Sequence, residues 1–272
     1  MQHVADQSTP APVRRNRLWK TLTAVATILL AMGVAGFLFW ASNPSLAESG
    51  PLAEAQSSSA VQYSEQNGYF SLTRDDALQG FVFYPGGHVA AEAYLAKLEK
   101  VVEVAPVNIY VPKMPLSLAI FGVNKADAII KANPGIKNWY VGGHSLGGAM
   151  ACRYALDHQE DLQGLVLVSS YCDRSIANSK LAVITVVGDQ DKLVTLDKLK
   201  PFLANIPKQS QLAVIEGANH GQMGNYGAQP GDGKATVTDG QVAQKFQDII
   251  GAYFGGPGAT CASCGTIIPA GE

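Results

Sequence analysis

Ser145 is the residue in this sequence whose type and setting best suit covalent chemistry. It lies in the motif Gly143-x-Ser145-x-Gly147, after the apolar run Trp139–Val141 and before a predicted helix of small residues. A sharp turn from a strand into a helix strains the backbone of the serine, and glycines two residues away avoid a clash there. The helix N-terminus also favours developing negative charge. We therefore predict that Ser145 is an activated nucleophile.

A serine nucleophile needs a general base, and His220 is the histidine best placed for that role. It follows the predicted strand Leu212–Ile215 and precedes the last predicted helix, Gln241–Phe254. The other histidines are His3 before the apolar N-terminal segment, His88 in a glycine turn, His144 inside the serine motif and His158 at a predicted helix end. The alternative for His220 is a loop histidine that only makes hydrogen bonds.

The base needs an acid that orients it, and two aspartates follow the predicted strand Ala182–Val187. Asp191 is preferred, because the turn that Gly188 opens leaves room for the third residue along to swing back toward the histidine. Asp189 is the alternative. The candidates then occur along the chain in the order serine, aspartate, histidine, each at the end of a predicted strand.

Two backbone N–H groups are predicted to hold the oxyanion of a tetrahedral intermediate. One belongs to Leu146, the residue after the nucleophile. The other should follow the predicted strand Phe81–Tyr84, where the sequence reads PGGH. Gly87 is the first choice there and His88 the second, because glycine lets the backbone approach the oxyanion closely. Such donors typically lower the barrier by about 3–4 kcal/mol each. The alternative interpretation of this turn is an ordinary tight loop.

Short apolar runs alternate with longer helix-like segments from about Val61 onward, which predicts an α/β domain with a mostly parallel sheet. Continuous apolar runs such as GLVLVSS and LAVITVVG are typical of strands covered on both faces. The predicted strands are Tyr69–Thr73, Phe81–Tyr84, Val107–Val111, Trp139–Val141, Leu165–Ser169, Ala182–Val187 and Leu212–Ile215. The predicted helices are Ala90–Lys100, Leu118–Ala132, Leu146–His158, Leu196–Ala204 and Gln241–Phe254.

The stretch 81–254 resembles the α/β-hydrolase superfamily, and more narrowly a small bacterial group near the dienelactone hydrolases. The resemblance rests on FYPGG in the first part, GGHSLGG around Ser145, GDQDKLV around Asp191 and EGANHGQMGNYG around His220. The PGDG of Pro230–Gly233 is also typical of the narrower group, without an assigned mechanism. The resemblance implies an α/β-hydrolase fold with helices on both faces of the sheet. Dienelactone hydrolases use a cysteine nucleophile, so the serine here does not imply their lactone substrate.

The sequence leaves little length for a cap over the predicted site. Only a short stretch separates the strand that ends near Ser170 from the next one, which starts near Leu181. Many lipases and peptidases of this fold insert a helical cap there, and this chain is predicted to have none. A shallow, open site suits small or exposed acyl groups. The region Met114–Phe121 either supplies an apolar wall to this site or begins a packed helix.

The N-terminal segment is predicted to span a membrane. Its uncharged apolar run, Leu22–Ala41, is close to the ~20 residues that a helix needs to cross a bilayer. The basic residues before it are Arg14, Arg15, Arg17 and Lys20. They predict that the N-terminus stays in the cytoplasm and that the rest of the chain faces outward. The alternative is a cleaved secretory signal with its cleavage site at Ser45-Leu46-Ala47.

The predicted organisation is a cytoplasmic segment 1–21, a span 22–41, a linker 42–60, a hydrolase domain 61–256 and a Gly/Cys tail 257–272. Cys152 and Cys172 are free to pair with each other. Cys261 and Cys264 form a lone CxxC, which favours a local disulfide or two idle thiols over a zinc site with four ligands. No metal and no organic cofactor are predicted.

Composition and motifs together predict an enzyme. The net charge of −2 and a pI near 6.2 give no electrostatic reason to expect nucleic acid as a partner. The three candidate residues predict a serine hydrolase that cleaves an ester or related acyl bond of a small molecule through an acyl-enzyme. The alternatives are an acyltransferase with the same three residues and a non-catalytic surface binding module on the same fold.

Overall fold

The computed structural model describes residues 14–66, 68–255 and 267–269. The chain divides into two units, with the boundary between Ser42 and Asn43. The described part of the first unit is one helix, α1 (Arg14–Ala41). Its segment Leu18–Ala41 has a mean hydropathy of 2.3 and is long and apolar enough to cross a membrane, the one such helix among the described residues. The predicted apolar N-terminal helix is therefore present and begins earlier than expected.

The second unit contains one sheet with helices around it. Its strands are β1 (Gln62–Gln66), β2 (Tyr69–Thr73), β3 (Gln79–Tyr84), β4 (Val107–Pro112), β5 (Asn138–His144), β6 (Leu162–Val168), β7 (Ala182–Gly188), β8 (Gln211–Ile215) and β9 (Ile267–Pro269). Its α-helices are α2 (Ser49–Gln56), α3 (Leu95–Val104), α4 (Lys125–Ala132), α5 (Leu146–Asp157), α6 (Leu196–Leu199) and α7 (Asp239–Phe254). Five short 3₁₀ turns complete the described elements: Ala91–Tyr94, Pro115–Ser117, Ala119–Phe121, Lys200–Asn205 and Gly221–Met223.

The sheet is mostly parallel and its order is β1-β2-β4-β3-β5-β6-β7-β8-β9. Every pair from β4 to β8 in this order is parallel, whereas β1, β2 and β9 pair in antiparallel fashion at the two edges. Each predicted strand is present. Because parallel strands end at the same edge of a sheet, the loops after β3, β5, β7 and β8 gather at one edge, where sites of open α/β sheets lie.

Alternating side chains of the strands build a core on each face of the sheet. Phe81 and Phe83 of β3 belong to the cluster that packs α3 and α7. Val82 and Tyr84, the intervening residues, belong to the cluster that packs α4 and α5. All four side chains are buried. Burial on both faces explains why these strands read as continuous apolar runs.

Residues 43–56, which we call the strap, were predicted to be part of a linker, 42–60, but they are folded against the domain. The strap contains α2, and Ala55 in that helix is buried in the core cluster with α3. Ser45 N–H donates to His88 O, and Ser45 O accepts the N–H of Ala90, each at 2.9 Å. Glu48 N–H donates to Asn225 O at 2.9 Å. A short helix with so few apolar residues has no periodicity that distinguishes it from a tether, so contacts distant in sequence decide its structure.

The predicted helix Leu118–Ala132 is also corrected. The α-helix begins only at Lys125, and two 3₁₀ turns precede it. Leu118 is extended, with φ of −129° and ψ of 115°, and Leu116 and Ser117 before it have φ of 53° and 54°. Neither conformation continues a right-handed helix. The interpretation of this region as the start of a packed helix is therefore wrong.

Two further features concern the tail and the cysteines. The strand Ile267–Pro269 pairs with β8, so the sheet extends beyond the predicted domain end at 256 into the predicted Gly/Cys tail. Cys152 and Cys172 form a disulfide between α5 and the loop after β6. Cys261 and Cys264 lie outside the described residues.

Residues 169–181, all of them described, contain no helix or strand, in agreement with a domain without a cap at this position.

Candidate active site

Ser145 lies at the sharp turn between β5 and α5. Its φ of 51° and ψ of −122° are strained for an L residue, and its N–H donates to Val168 O at 2.9 Å. A Cβ on Gly143 or Gly147 would lie 2.4 or 2.2 Å from Tyr84 O, which explains why both positions are glycine. The turn therefore has the shape of a nucleophile elbow, and Ser145 is only half-buried.

Asp191 and His220 are brought together from the loops after β7 and β8. His220 Nδ1 lies 2.8 Å from Asp191 Oδ2, and both side chains are buried. The other carboxylate oxygen, Oδ1, accepts the N–H groups of Leu193 at 2.9 Å and Val194 at 2.7 Å. These bonds fix the carboxylate, and the carboxylate fixes the orientation of the imidazole.

The second nitrogen of His220, Nε2, is buried and has no hydrogen-bond partner among the described residues. The structure therefore does not close a hydrogen bond between His220 and Ser145. His220 nevertheless lies beside the elbow, since its ring centroid is 4.4 Å from that of His144, the residue before the serine. Hydrogen bonds of this kind are often long in a free enzyme and tighten only when substrate binds.

Asp189, the alternative acid, is engaged elsewhere. Its Oδ1 accepts the N–H of Gly217 at 2.6 Å, and the residue is exposed. It thus ties the end of β7 to the loop after β8. Of the two aspartates, Asp191 is the one that contacts His220.

The two predicted oxyanion donors are neighbours. A Cβ on Gly87 would lie 3.0 Å from Leu146 Cδ2 and 3.7 Å from Leu118 Cδ2, so this turn packs against the start of α5. His88, the second choice, uses its N–H to donate to Ser117 O at 2.8 Å. Leu146 is the first residue of α5, and the first N–H groups of a helix have no partner within the helix.

A buried polar layer that the sequence analysis did not identify lies behind the elbow. The hydroxyl of Tyr94 is 2.9 Å from His144 Nδ1 and accepts the N–H of Gly86 at 3.0 Å. Burial, together with repulsion from a charged His220, holds the pKa of His144 well below its usual range. Burial also raises the pKa of Tyr94 well above its usual value. Both groups are therefore neutral, and they position the glycine turn and the elbow without carrying charge.

Lys97 of α3 is a buried cation beneath the loop that follows His220. Its Nζ donates to Gly224 O and to Asn225 Oδ1, each at 3.0 Å. Burial lowers the pKa of Lys97 to about 8. No sequence signal distinguishes this lysine from an exposed one on a helix, because its burial depends on a loop more than a hundred residues away.

Ser170, in the loop after β6, also supports the backbone at Ser145. Its hydroxyl donates to Ser145 O at 2.7 Å, and its side chain lies against Gly148 in the first turn of α5. Cys172, two residues later, is joined to the same helix by the disulfide. The backbone of the elbow is thus held from β6 as well as from its own strand. Within the described ranges, no group of three or more His, Cys, Asp or Glu side chains is arranged to hold a metal ion.

Comparison with known proteins gives the family. A sequence profile described as the alpha/beta hydrolase family matches residues 80–244, which is more than half of the chain. The chain belongs to this family. The predicted α/β-hydrolase fold is confirmed, and the family supports a hydrolase. The narrower resemblance to the dienelactone hydrolases stays a prediction, and none of the curated sequences compared with the chain matches it.

The solved structure of an esterase-named protein agrees on the fold of this α/β hydrolase. Est1E from Butyrivibrio proteoclasticus superposes with a TM-score of 0.51 at 13% identity, covering 71% of this chain and 98% of its own. A "predicted CIB-like hydrolase" from Thermoplasma acidophilum gives a TM-score of 0.49 at 16% identity, covering 70% and 97%. Identities this low concern the fold alone.

Proposed function

We propose that this α/β hydrolase is a serine hydrolase that cleaves ester-type acyl bonds of small substrates, with Ser145, His220 and Asp191 as its catalytic residues. One observation carries the proposal. A buried His220 is bonded to a buried Asp191 on one side and has no partner for Nε2 on the other, beside a strained serine. An imidazole nitrogen that makes no bond within the protein is available to take a proton from a nearby hydroxyl.

The proposed reaction has two stages. In the first, Nε2 of His220 takes the proton from Ser145 Oγ as that oxygen attacks the carbonyl carbon. The tetrahedral oxyanion accepts hydrogen bonds from the N–H groups of Leu146 and Gly87. Its collapse expels the alcohol, which takes the proton from His220, and leaves an acyl-serine. In the second stage His220 activates water in the same way, and the acid is released. Throughout, Asp191 holds the imidazole and stabilises its cation.

An apolar acyl group suits the surroundings of the proposed oxyanion donors. The side chains of Leu146 and Leu118 flank Gly87. Ile120 and Phe121, in the 3₁₀ turn that follows, are 46% and 52% exposed. This supports the apolar wall predicted for the region 114–121. With no helix or strand in 169–181 to cover it, the site is expected to take small or surface-presented substrates.

We further propose that the catalytic unit is anchored by α1 on the outer side of a membrane. Basic residues precede the apolar segment, and a buried disulfide is typical of compartments where cysteines oxidise. The alternative cleavage site at Ser45-Leu46-Ala47 lies in the strap. Cleavage there would remove Ser45 and with it both bonds to the turn at residues 88–90. An uncleaved helix keeps these contacts.

Labelling with a fluorophosphonate probe tests the activity. The full chain in detergent should label stoichiometrically, and both Ser145→Ala and His220→Ala should lose labelling while keeping their melting temperature within a few degrees. The parent should also hydrolyse activated esters such as p-nitrophenyl acetate. Product analysis with added alcohols would reveal an acyltransferase. A folded parent that neither labels nor hydrolyses would overturn the proposal in favour of a binding module.

A further inference from the structure

The turn Pro230–Gly233, which carries the PGDG motif, lies between the two loops that hold His220 and Asp191. Asp232 Oδ2 accepts the N–H of Gly221 at 2.8 Å, next to His220 in the chain. Asp232 Oδ1 accepts the N–H of Lys192 at 3.4 Å, next to Asp191, and that of Gly233 at 2.7 Å. One carboxylate therefore contacts the residue after the histidine and the residue after the aspartate.

The backbone of the same turn contacts the residue before His220 and the residue before Asp191. Asn219 Nδ2 donates to Gly233 O at 2.8 Å. A Cβ on Gly233 would lie 1.9 Å from Gln190 O, so only glycine fits against that loop. The turn thus contacts the chain before and after both His220 and Asp191. A further bond, from Gln190 N–H to Ala218 O at 2.9 Å, joins the two loops directly.

We propose that Asp232 is a positioning residue that keeps the loops of Asp191 and His220 at the separation their hydrogen bond requires. This inference rests on the proposed function of those two residues. The turn differs from an ordinary surface loop, because the Asp232 carboxylate is directed at backbone N–H groups and forms no ion pair with a described residue. An ionised carboxylate accepts hydrogen bonds on both oxygens and donates none, which is what three N–H groups require.

Two substitutions separate positioning from simple stability. Asp232→Asn keeps the shape but has one acceptor oxygen, so in either orientation its NH₂ group faces a backbone N–H. Asp232→Ala removes all three bonds. Asp197→Asn is the matched control, because Asp197 is an exposed aspartate on α6 that pairs with Lys200. The control removes the same negative charge without removing a hydrogen bond to either loop.

The groups that act on His220 fix the expected direction of the pH effect. Asp191 contacts its Nδ1. The ring of His144 lies against that of His220, and the ring of Tyr226 lies near that of His144. Lys97 lies beneath the following loop. Loss of the Asp232 charge and a looser Asp191 bond both make the histidine cation less stable. The acid limb of activity should therefore move to lower pH.

The experiment measures the fluorophosphonate labelling rate per folded molecule from pH 5 to 9, using the full chain in detergent. Both Asp232 variants should label about tenfold more slowly or worse, with the shifted acid limb, whereas Asp197→Asn should match the parent. Parental rates and an unchanged acid limb in folded Asp232→Asn would overturn the inference, whatever its melting temperature. If Asp232→Ala does not fold, Asp232→Asn carries the test.

A second readout does not depend on catalysis. The downfield NMR resonance of the His220 Nδ1 proton reports its bond to Asp191 even in a protein that does not label. It should be shifted or lost in Asp232→Asn and retained in Asp197→Asn. An unchanged resonance would contradict the positioning role. A parent that shows this resonance and does not label would contradict the proposed function alone.

Discussion

The imidazole ring of His144 lies against that of His220, with 4.4 Å between ring centroids, yet only His220 has a carboxylate partner. His144 instead pairs with the hydroxyl of Tyr94, whose pKa is raised by burial. Two adjacent histidine cations would repel each other. His144 is therefore the neutral member of the pair, and His220, the proposed base, is the member with a carboxylate beside it.

The buried His144 should make the protein acid-sensitive. Its folded pKa is lowered, so below the unfolded value of about 6.5 the unfolded chain binds a proton that the native state does not. The contribution of His144 to the unfolding free energy is fully present above that pH. At lower pH it decreases by about 1.4 kcal/mol per pH unit. His144→Asn, which keeps an acceptor near the Tyr94 hydroxyl, should reduce the slope of unfolding free energy between pH 6.5 and 5. Equal slopes for parent and variant, measured by urea denaturation, would contradict this assignment.

Lys97 should give the same sign of pH dependence as His144, but in an alkaline window. Its folded pKa is lowered to about 8, below the unfolded value of about 10.4, so between these values only the unfolded state is protonated. Stability should therefore rise with pH across this window. Between pH 8 and 10, the unfolding free energy of the parent should rise relative to that of Lys97→Met by a few kcal/mol at most. Replacement of the exposed Lys208 by Met controls for net charge, and a difference between parent and Lys97→Met that stays constant with pH would refute the prediction.

Gly147→Ala should disrupt the elbow. The new Cβ would meet Tyr84 O at 2.2 Å and Pro85 O at 2.3 Å, both backbone atoms that cannot move away cheaply. We expect a loss of about 1–3 kcal/mol of stability and a loss of labelling at Ser145 well beyond that expected from the unfolded fraction. Gly240→Ala is the control, since nothing lies within 4 Å of its Cβ and alanine favours the helix there. Normal labelling of Gly147→Ala would show that the elbow can relax.

The Cys152–Cys172 disulfide closes a loop with a sequence separation of 20 and joins α5 to the segment that contains Ser170. Replacing both cysteines by alanine should lower the unfolding free energy by about 3 kcal/mol. Labelling of the folded fraction at low temperature should persist, because Ser170 still bonds to the Ser145 carbonyl. Denaturation midpoints of parent and variant, each with and without reductant, check this. Reductant should shift the parent alone.

The placement of Ser145, Asp191 and His220 at one edge of the sheet could be predicted from the sequence, because each follows a strongly apolar strand and strand ends of a parallel sheet converge. The strand Tyr69–Thr73 was predicted with the bounds that the structure has. The geometry between Ser145 and His220 could not be predicted, since it depends on the loop around His220, and the structure leaves Nε2 unpaired. Their catalytic roles stay predictions.

Contacts between side chains and distant loops explain what the sequence analysis missed. Asp232 lies in a motif that was noticed, but its role depends on backbone N–H groups eleven and forty residues away. Lys97 and Tyr94 belong to helical segments whose pattern gives no sign of buried polar partners. The strand β1 has mostly exposed, polar residues, so it lacks the alternation that identifies a strand.

The strap has a consequence for the order in which the protein is completed. Synthesis proceeds from the N-terminus, so residues 43–48 emerge long before their partners at 88–90 and 225. Contacts between such distant positions carry a high cost in loop-closure entropy and form late in folding. The segment nearest α1 therefore cannot complete its contacts until almost the entire hydrolase sequence has followed it.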